Sequence, residues 1–556
     1  MSYEDDLNEV GGFGSFQKWL CFYLVLSSIP NGYLVLCIIF TGYKPDHRCR
    51  IPDLIDNNQN ASSLFAKPAT ELEECFELNY NVSNNATQNA TAPCTNGWVY
   101  DIEPGRTTFV TEFNLVCNQS ATRPFITSVL MLGVLIGSGL SGFFADRYGR
   151  RPVFLVGTLF MFVFFGLCGL APSVTVLSGF VFFAGGFNLV NYATAFVLAS
   201  EATQTSSRVF TGVLTIGGFA LGYMLIPLIA YLIPNWRHLY LASAATGILF
   251  IPFYWVIPES PRWLYVQGKS EQYTALMTKI AKANGTSFTN KQQLLEKEED
   301  EFGSSTTTAL KESVKFIKHR LCRFRFFNMC FTWFSNAVIY YGLSLNTSNL
   351  GGNAYFNCFV GAFVEIPAYV LVIATLNKMG RKTTVIATVL VSGVTCGLVP
   401  FINEVSTTAS IVCAMFGKFA ISACFVVIYI YGSEIFPTVA RNSAVGLLSM
   451  CARSGSMVAP YLNYAGEEIY YLPYLTMFIL ASVSAVLTLF LPETNNKPMP
   501  ENLEDMPPYR FHLCGKSTLS HSNSNGEHKN VATNNKENVV VYCTDEEKHE
   551  DVMIRK

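Results

Sequence analysis

The chain has 556 residues, 50% of them apolar and only 14% charged, against roughly a quarter charged in an ordinary soluble domain. This balance points to the lipid bilayer as a partner and away from a soluble globule, and a net charge of −2 argues against nucleic acid.

Residues 1–18 begin with acids, Glu4, Asp5, Asp6 and Glu9, and lack the basic start and small-residue cleavage site of a signal peptide. The first apolar run is therefore expected to stay as a mature span. Twelve runs have the length of about 20 residues that a helix needs to cross a bilayer: 19–41, 124–145, 152–174, 177–200, 209–233, 238–257, 326–345, 354–375, 383–402, 408–431, 442–464 and 470–491. The expected fold is an all-α membrane protein of twelve transmembrane helices.

Between spans 1 and 2 lies a polar segment, 42–123, with sequons at Asn60, Asn81, Asn85, Asn89 and Asn118 and four cysteines, Cys49, Cys75, Cys94 and Cys117. Both features suit an oxidising compartment. Two disulfides are expected, and the spacing leaves all three pairings open. A further sequon at Asn346 falls in a loop on the same side, whereas Asn284-Gly-Thr falls in the opposite loop and is expected to stay bare.

Lys and Arg gather in the loops after spans 2, 4, 8 and 10: Arg147, Arg150 and Arg151; Arg208; Lys378, Arg381 and Lys382; Arg441. Short basic loops resist translocation, so this side is read as cytosolic, both termini with it, and 42–123 as extracellular. The expected location is the plasma membrane.

A charged stretch, 258–325, containing KQQLLEKEEDE, separates six spans from six, and the polar tail, 492–556, reads as largely disordered. The bundles 19–257 and 326–491 repeat three patterns at offsets of 231, 233 and 234. Asp146-Arg-Tyr-Gly149-Arg-Arg matches Asn377-Lys-Met-Gly380-Arg-Lys; Glu201 and Arg208 match Glu434 and Arg441; Pro258-Glu-Ser matches Pro492-Glu-Thr. A duplicated six-helix unit follows, with a central site between the halves.

Gly142-Phe-Phe-Ala-Asp146-Arg-Tyr-Gly-Arg-Arg151 resembles the signature loop of the major facilitator superfamily. Asn191-Tyr-Ala-Thr-Ala-Phe-Val-Leu, Pro258-Glu-Ser-Pro-Arg-Trp-Leu, Tyr340-Tyr-Gly-Leu and Tyr429-Ile-Tyr-Gly-Ser-Glu-Ile-Phe-Pro-Thr-Val-Ala-Arg-Asn are similar to the organic cation, organic anion and carnitine transporter family. Val364-Glu-Ile-Pro-Ala-Tyr-Val-Leu looks most like its carnitine and zwitterion branch, although Asn188 stands where that branch has Gln. The resemblance implies alternating access, with Asp146, Arg147, Arg150, Glu201, Arg208, Glu434 and Arg441 in an ion-pair network that holds one access state.

Ionisable residues inside spans are costly and mark sites by default. Arg453, midway along span 11 among small residues, presents a planar fork of donors suited to a carboxylate; its alternative role is a structural salt bridge to Glu365. Glu365 in span 8 could meet a positive end or neutralise a basic partner, and Lys418 in span 10 could pair with it or line the pathway. A quaternary ammonium is held by ring faces, for which Tyr192, Tyr223, Trp333, Tyr340 and Tyr429 are candidates, with Phe425 the weakest. Asn188 and Asn191 offer carbonyl oxygens to substrate or to a coupling Na+, or hydrogen bonds between helices.

Arg510-Phe-His-Leu-Cys-Gly-Lys-Ser ends like a phosphate-binding loop but lacks the first Gly and a preceding strand, so neither nucleotide nor any other cofactor, nor a structural metal, is expected. The reading is a transporter of a small organic zwitterion or ion such as carnitine or a betaine, and not an enzyme. The alternatives are an organic anion transporter, an organic cation transporter, a sugar porter, against which Arg453 speaks, and a receptor or scaffold of the same fold.

Overall fold

A backbone in lipid must satisfy its N–H and C=O groups internally, and a single segment does this as a helix. In a computed structural model of the chain, which describes residues 3–50, 75–79, 90–94, 97–288, 320–347, 350–437 and 441–495, each apolar run is helical. In the first half these are α1 (Ser15–Thr41), α2 (Thr122–Tyr148), α3 (Arg150–Gly169), α4 (Val174–Glu201), α5 (Thr205–Leu232) and α6 (Trp236–Val256). The second half contributes α7 (Arg320–Leu345), α8 (Ala354–Phe363 and Glu365–Met379), α9 (Arg381–Val405), α10 (Thr407–Ile435), α11 (Arg441–Glu468) and α12 (Leu472–Leu489). Among the described residues ten helices are long and apolar enough to cross a membrane, while α7 and α11, of 26 and 28 residues, are equally long but more polar.

The halves repeat each other in three dimensions. The pairs α2–α4, α3–α4, α1–α5 and α3–α6 of the first half recur as α8–α10, α9–α10, α7–α11 and α9–α12 in the second. The halves meet along α2–α11 and α5–α8, which exchange under the same symmetry. Small residues allow the closest approaches: a Cβ on Gly133 would lie 2.0 Å from the Phe182 carbonyl oxygen, and one on Gly137 2.3 Å from that of Gly186, so α2 and α4 touch backbone to backbone.

α8 is interrupted at Val364, where Pro367 has no N–H to offer the Phe363 carbonyl. The break places Glu365, fully buried, at the start of the second piece.

Within 42–123 the all-helical expectation gives way to two short antiparallel strand pairs: His47–Cys49 with Trp98–Tyr100, and Phe76–Asn79 with Ala90–Pro93. Disulfides join Cys49 to Cys94 and Cys75 to Cys117. Glu112 anchors this segment to the start of α6, accepting from Trp236 Nε1 at 2.7 Å and Arg237 Nη2 at 2.6 Å. Burial by itself would raise the Glu112 pKa, but these two donors outweigh it and hold the carboxyl below its usual range. Asn118 is exposed, whereas Asn60, Asn81, Asn85 and Asn89 lie outside the described residues. The sequon at Asn346 is not in an open loop: Asn346 is buried and its amide donates to the Tyr474 hydroxyl at 3.0 Å. This segment marks the disulfide face, and the opposite one is the signature face.

On the signature face, helices Pro261–Val266 and Ser270–Asn284 pack with a short helix, Tyr3–Glu9, around Leu7, Trp263, Tyr273, Met277 and Ile280. KQQLLEKEEDE and the tail from 496 lie outside the described residues.

Candidate substrate site and gating networks

The centre is built mainly by α7, α8, α10 and α11. Glu365 accepts hydrogen bonds from Tyr340 at 2.7 Å and Tyr369 at 2.9 Å, and pairs with Lys418 at 3.0 Å. The Lys418 ammonium also donates to Ser344 and lies 3.2 Å from the centroid of the Tyr340 ring. Both charges are fully buried, and each cancels the other.

Arg453 has no such partner. Its one hydrogen bond is a long one, 3.3 Å from Nη1 to the Tyr341 hydroxyl, and Nε is buried without an acceptor. Among the described residues no carboxylate pairs with it, so the alternative of a bridge to Glu365 is not what the fold provides. Tyr192, on α4 of the opposite half, packs against Phe219 with ring centroids 6.2 Å apart. With Lys418 and Glu365 neutral as a pair, the described residues leave the centre with one uncompensated positive charge, that of Arg453.

Aromatic faces adjoin it. Trp333 and Tyr429 lie 4.4 Å apart, Tyr340 and Phe425 5.4 Å, and Phe425 and Tyr429 5.9 Å. Phe425, the weakest candidate from sequence, thus bridges two stronger ones. Tyr223 is fully buried where α5 meets α8, with the Lys418 ammonium 5.6 Å from its ring. One turn from both Trp333 and Tyr340, Asn336 is fully buried with neither amide atom paired. Sequence reasoning passed over Asn336, Tyr341 and Tyr369; the polar Asn336 in a span was the available signal for the first.

Asn188 and Asn191 are not brought to this centre. Asn191 donates to Thr158 Oγ1 at 2.6 Å and accepts from Asn31 Nδ2 at 2.8 Å, while Asn188 contacts the Asn31 carbonyl and Met161 Sδ at 3.5 Å. Their amides tie α4 to α1 and α3, an internal satisfaction of polar groups that lipid cannot satisfy.

On the signature face each half carries the same circuit. Arg150 grips Glu201 through Nε at 2.9 Å and Nη2 at 3.0 Å, Ser260 Oγ donates to Glu201 at 2.7 Å, and Glu259 accepts from the backbone N–H of Arg150 and Arg151. Arg381 grips Glu434 through Nε and Nη2, both at 3.1 Å, Thr494 Oγ1 donates to it at 2.6 Å, and Glu493 accepts from the N–H of Arg381 and Lys382. Gly149 and Gly380 make the turns at φ 103° and 85°, and a Cβ on either would fall 2.4 or 2.7 Å from the capping carboxylate, Glu259 or Glu493.

Asp146, 75% exposed, adds 2.9 Å to Arg150, while Arg147 projects outward beside Tyr148. Arg208 does not join Glu201; it pairs with Glu4 of the first short helix and with the Ser200 carbonyl. Arg441 opens α11 beside residues 438–440, which are outside the described set. Among the described residues both circuits close within their own half.

Contacts between halves gather instead on the disulfide face. Lys44 and Arg123 both reach Glu467 at 3.1 Å, Ser120 meets Tyr464 at 2.7 Å, and Phe40 stacks on Tyr355 at 5.2 Å.

Residues 69–505 match the family described as Sugar (and other) transporter. The chain is 35% identical over 522 residues to an organic cation transporter protein of Drosophila melanogaster, covering 91% of this chain and 94% of the relative. It is 33% identical to organic cation/carnitine transporter 2 of Mus musculus and of Homo sapiens, over 527 and 528 residues, again covering 91% and 94%. Among solved structures the inward open conformation of the xylose transporter XylE from E. coli superposes with a TM-score of 0.57 at 16% identity, covering 88% of this chain and 99% of that one, which speaks for the fold. The chain belongs to the Sugar (and other) transporter family and, within it, groups with the organic cation and carnitine transporters: it is a multi-pass membrane transporter of the major facilitator fold and not an enzyme.

Proposed function

We propose that this chain moves a small organic zwitterion of the carnitine or betaine type across the plasma membrane by alternating access. The observation that carries this reading is the half-buried guanidinium of Arg453, unmatched by any described carboxylate, with Nε lacking an acceptor and Nη1 held only by the Tyr341 hydroxyl. A substrate carboxylate would take two of its donors. The positive end would lie among Trp333, Tyr340 and Tyr429, whose ring faces attract a quaternary ammonium that cannot donate a hydrogen bond. Relatives named for organic cations and carnitine agree with such a ligand.

The disulfide face is the extracellular one in this reading and both termini are cytosolic, supported by the paired cysteines, the exposed Asn118 and the Lys/Arg bias of the opposite loops. Contact on the disulfide face, with the two signature circuits each inside its half, describes a state opening towards the cytosol. An organic anion with no positive end is the second reading, favoured by the same uncompensated charge.

The test is uptake of labelled carnitine, a dicarboxylate and a small organic cation in cells expressing the chain and Arg453→Ala, with sodium or potassium outside. Charge-assisted hydrogen bonds contribute about 1.5–3 kcal/mol, so carnitine uptake through Arg453→Ala should require on the order of 10–100-fold more substrate. A fall on replacing sodium would identify it as the coupling ion. Cation uptake alone, unchanged in Arg453→Ala, would sink the zwitterion reading.

A further inference from the structure

The disulfide face contains a cavity of about 260 Å³ between the halves, lined among others by Lys44, Arg123, Asn463, Glu467, Tyr470 and Tyr474. It is slightly smaller than sites for drug-sized ligands. Glu467 of the second half sits on its wall and takes both cations of the first half: Lys44 Nζ on Oε2 and Arg123 Nη1 on Oε1, each at 3.1 Å. Among the described residues these are the ion pairs that join the halves, and both end on one carboxylate. Beside them Asn463, 6% exposed, uses its Nδ2 on the Gly342 carbonyl while its Oδ1 has no partner.

We propose that this cavity is a vestibular carboxylate site, in which the carboxylate of a small organic solute replaces Glu467 on Lys44 and Arg123 and so unties the disulfide face. The proposal deepens the transport reading and rests on it for the identity of the solute. The mechanism needs no special coupling. In the closed state Glu467 occupies both cations, so a competing carboxylate binds only when Glu467 has left; its affinity therefore differs between the two states, which is the condition for shifting their balance. The orphaned Asn463 oxygen and the rings of Tyr470 and Tyr474, 5.6 Å apart, offer acceptor and aromatic surface to the other end of the molecule.

Hydrogen exchange on the purified full chain in nanodiscs tests this, read by mass spectrometry over residues 117–128 and 460–474. Acetate should raise exchange several-fold in both segments, whereas chloride at equal ionic strength and choline should not. In Glu467→Gln, and in the double variant Lys44→Ala with Arg123→Ala, exchange should already be high and indifferent to acetate. Arg453→Ala, which removes the central anchor, should keep the full acetate response even where its uptake is lost. No acetate response in the unaltered chain overturns the proposal, as does an equal response to chloride, which would mean screening of the ion pairs. A response abolished by Arg453→Ala also overturns it, since the anion would then act at the centre; in that case the transport reading stands without the vestibule.

Discussion

The signature circuits and the central cluster are two regions built on the same duplicated frame, and they differ in what the duplication kept. At the signature face the core of each circuit has its twin: Gly149 and Gly380, Arg150 and Arg381, Glu201 and Glu434, Glu259 and Glu493, with Ser260 and Thr494 donating to the paired carboxylates. At the centre the charges stand in one half. At the repeat's spacing of 233, Lys418 and Arg453 correspond to Gly185 and Ala220, both of which are buried packing residues of the first half. On the transport reading proposed above, symmetry is retained where both halves would perform the same mechanical task and abandoned where a single asymmetric ligand would be held.

The largest effect should come from splitting the central pair. Lys418→Met alone leaves Glu365 charged and buried, at a cost of about 3–5 kcal/mol, and should abolish folded protein at the cell surface. Adding Glu365→Met should recover much of it; surface expression equally low in the double variant would show that the two charges are not compensating each other.

Next come the twin circuits. Glu201→Gln and Glu434→Gln each weaken a bidentate Arg contact that is only 11–15% exposed, and each should cost about 2 kcal/mol, below the roughly 3–5 kcal/mol of a fully buried broken pair because Gln keeps one acceptor and some solvent reaches the site. The thermal unfolding midpoints of the two variants should fall together. A marked difference between them would break the equivalence of the halves.

Smaller again is the aromatic contribution. Trp333→Leu and Tyr429→Leu each remove a ring face, worth about 1–2 kcal/mol to a desolvated cation. Their apparent affinity for carnitine should fall roughly 5–30-fold, with inhibition by a dicarboxylate unchanged. Equal losses for both ligands would show that the rings serve packing rather than the ammonium.

The smallest effect lies on the disulfide face. His47 is buried close to the Lys44 ammonium, burial and then that charge lowering its pKa to about 4. Asp46 and Glu467 oppose the shift. A histidine held neutral in the fold contributes stability that is complete above its unfolded value of about 6.5 and declines as pH falls towards the folded one. Unfolding temperature should drop modestly between pH 7.5 and pH 5, and His47→Asn should shrink that drop.

Span positions, the duplicated halves and the transporter class were legible in the sequence, because the bilayer imposes a length on every apolar run and a duplicated gene preserves spacing. The ionisable residues Arg453, Glu365 and Lys418 were equally legible, being conspicuous against lipid. Which of them are partners was not. Lys418 and Glu365 neutralise each other and leave Arg453 open, and Asn188 and Asn191 turn to neighbouring helices, because rotational setting about each helix axis decides which face a polar group meets. Arg208 turning to Glu4, the choice among three disulfide pairings and the convergence of Lys44 and Arg123 on Glu467 are likewise tertiary decisions, since they join residues far apart in the chain. The sequence determined which residues are too polar for lipid; only the packing of the helices determined which of them are left with an unmet charge.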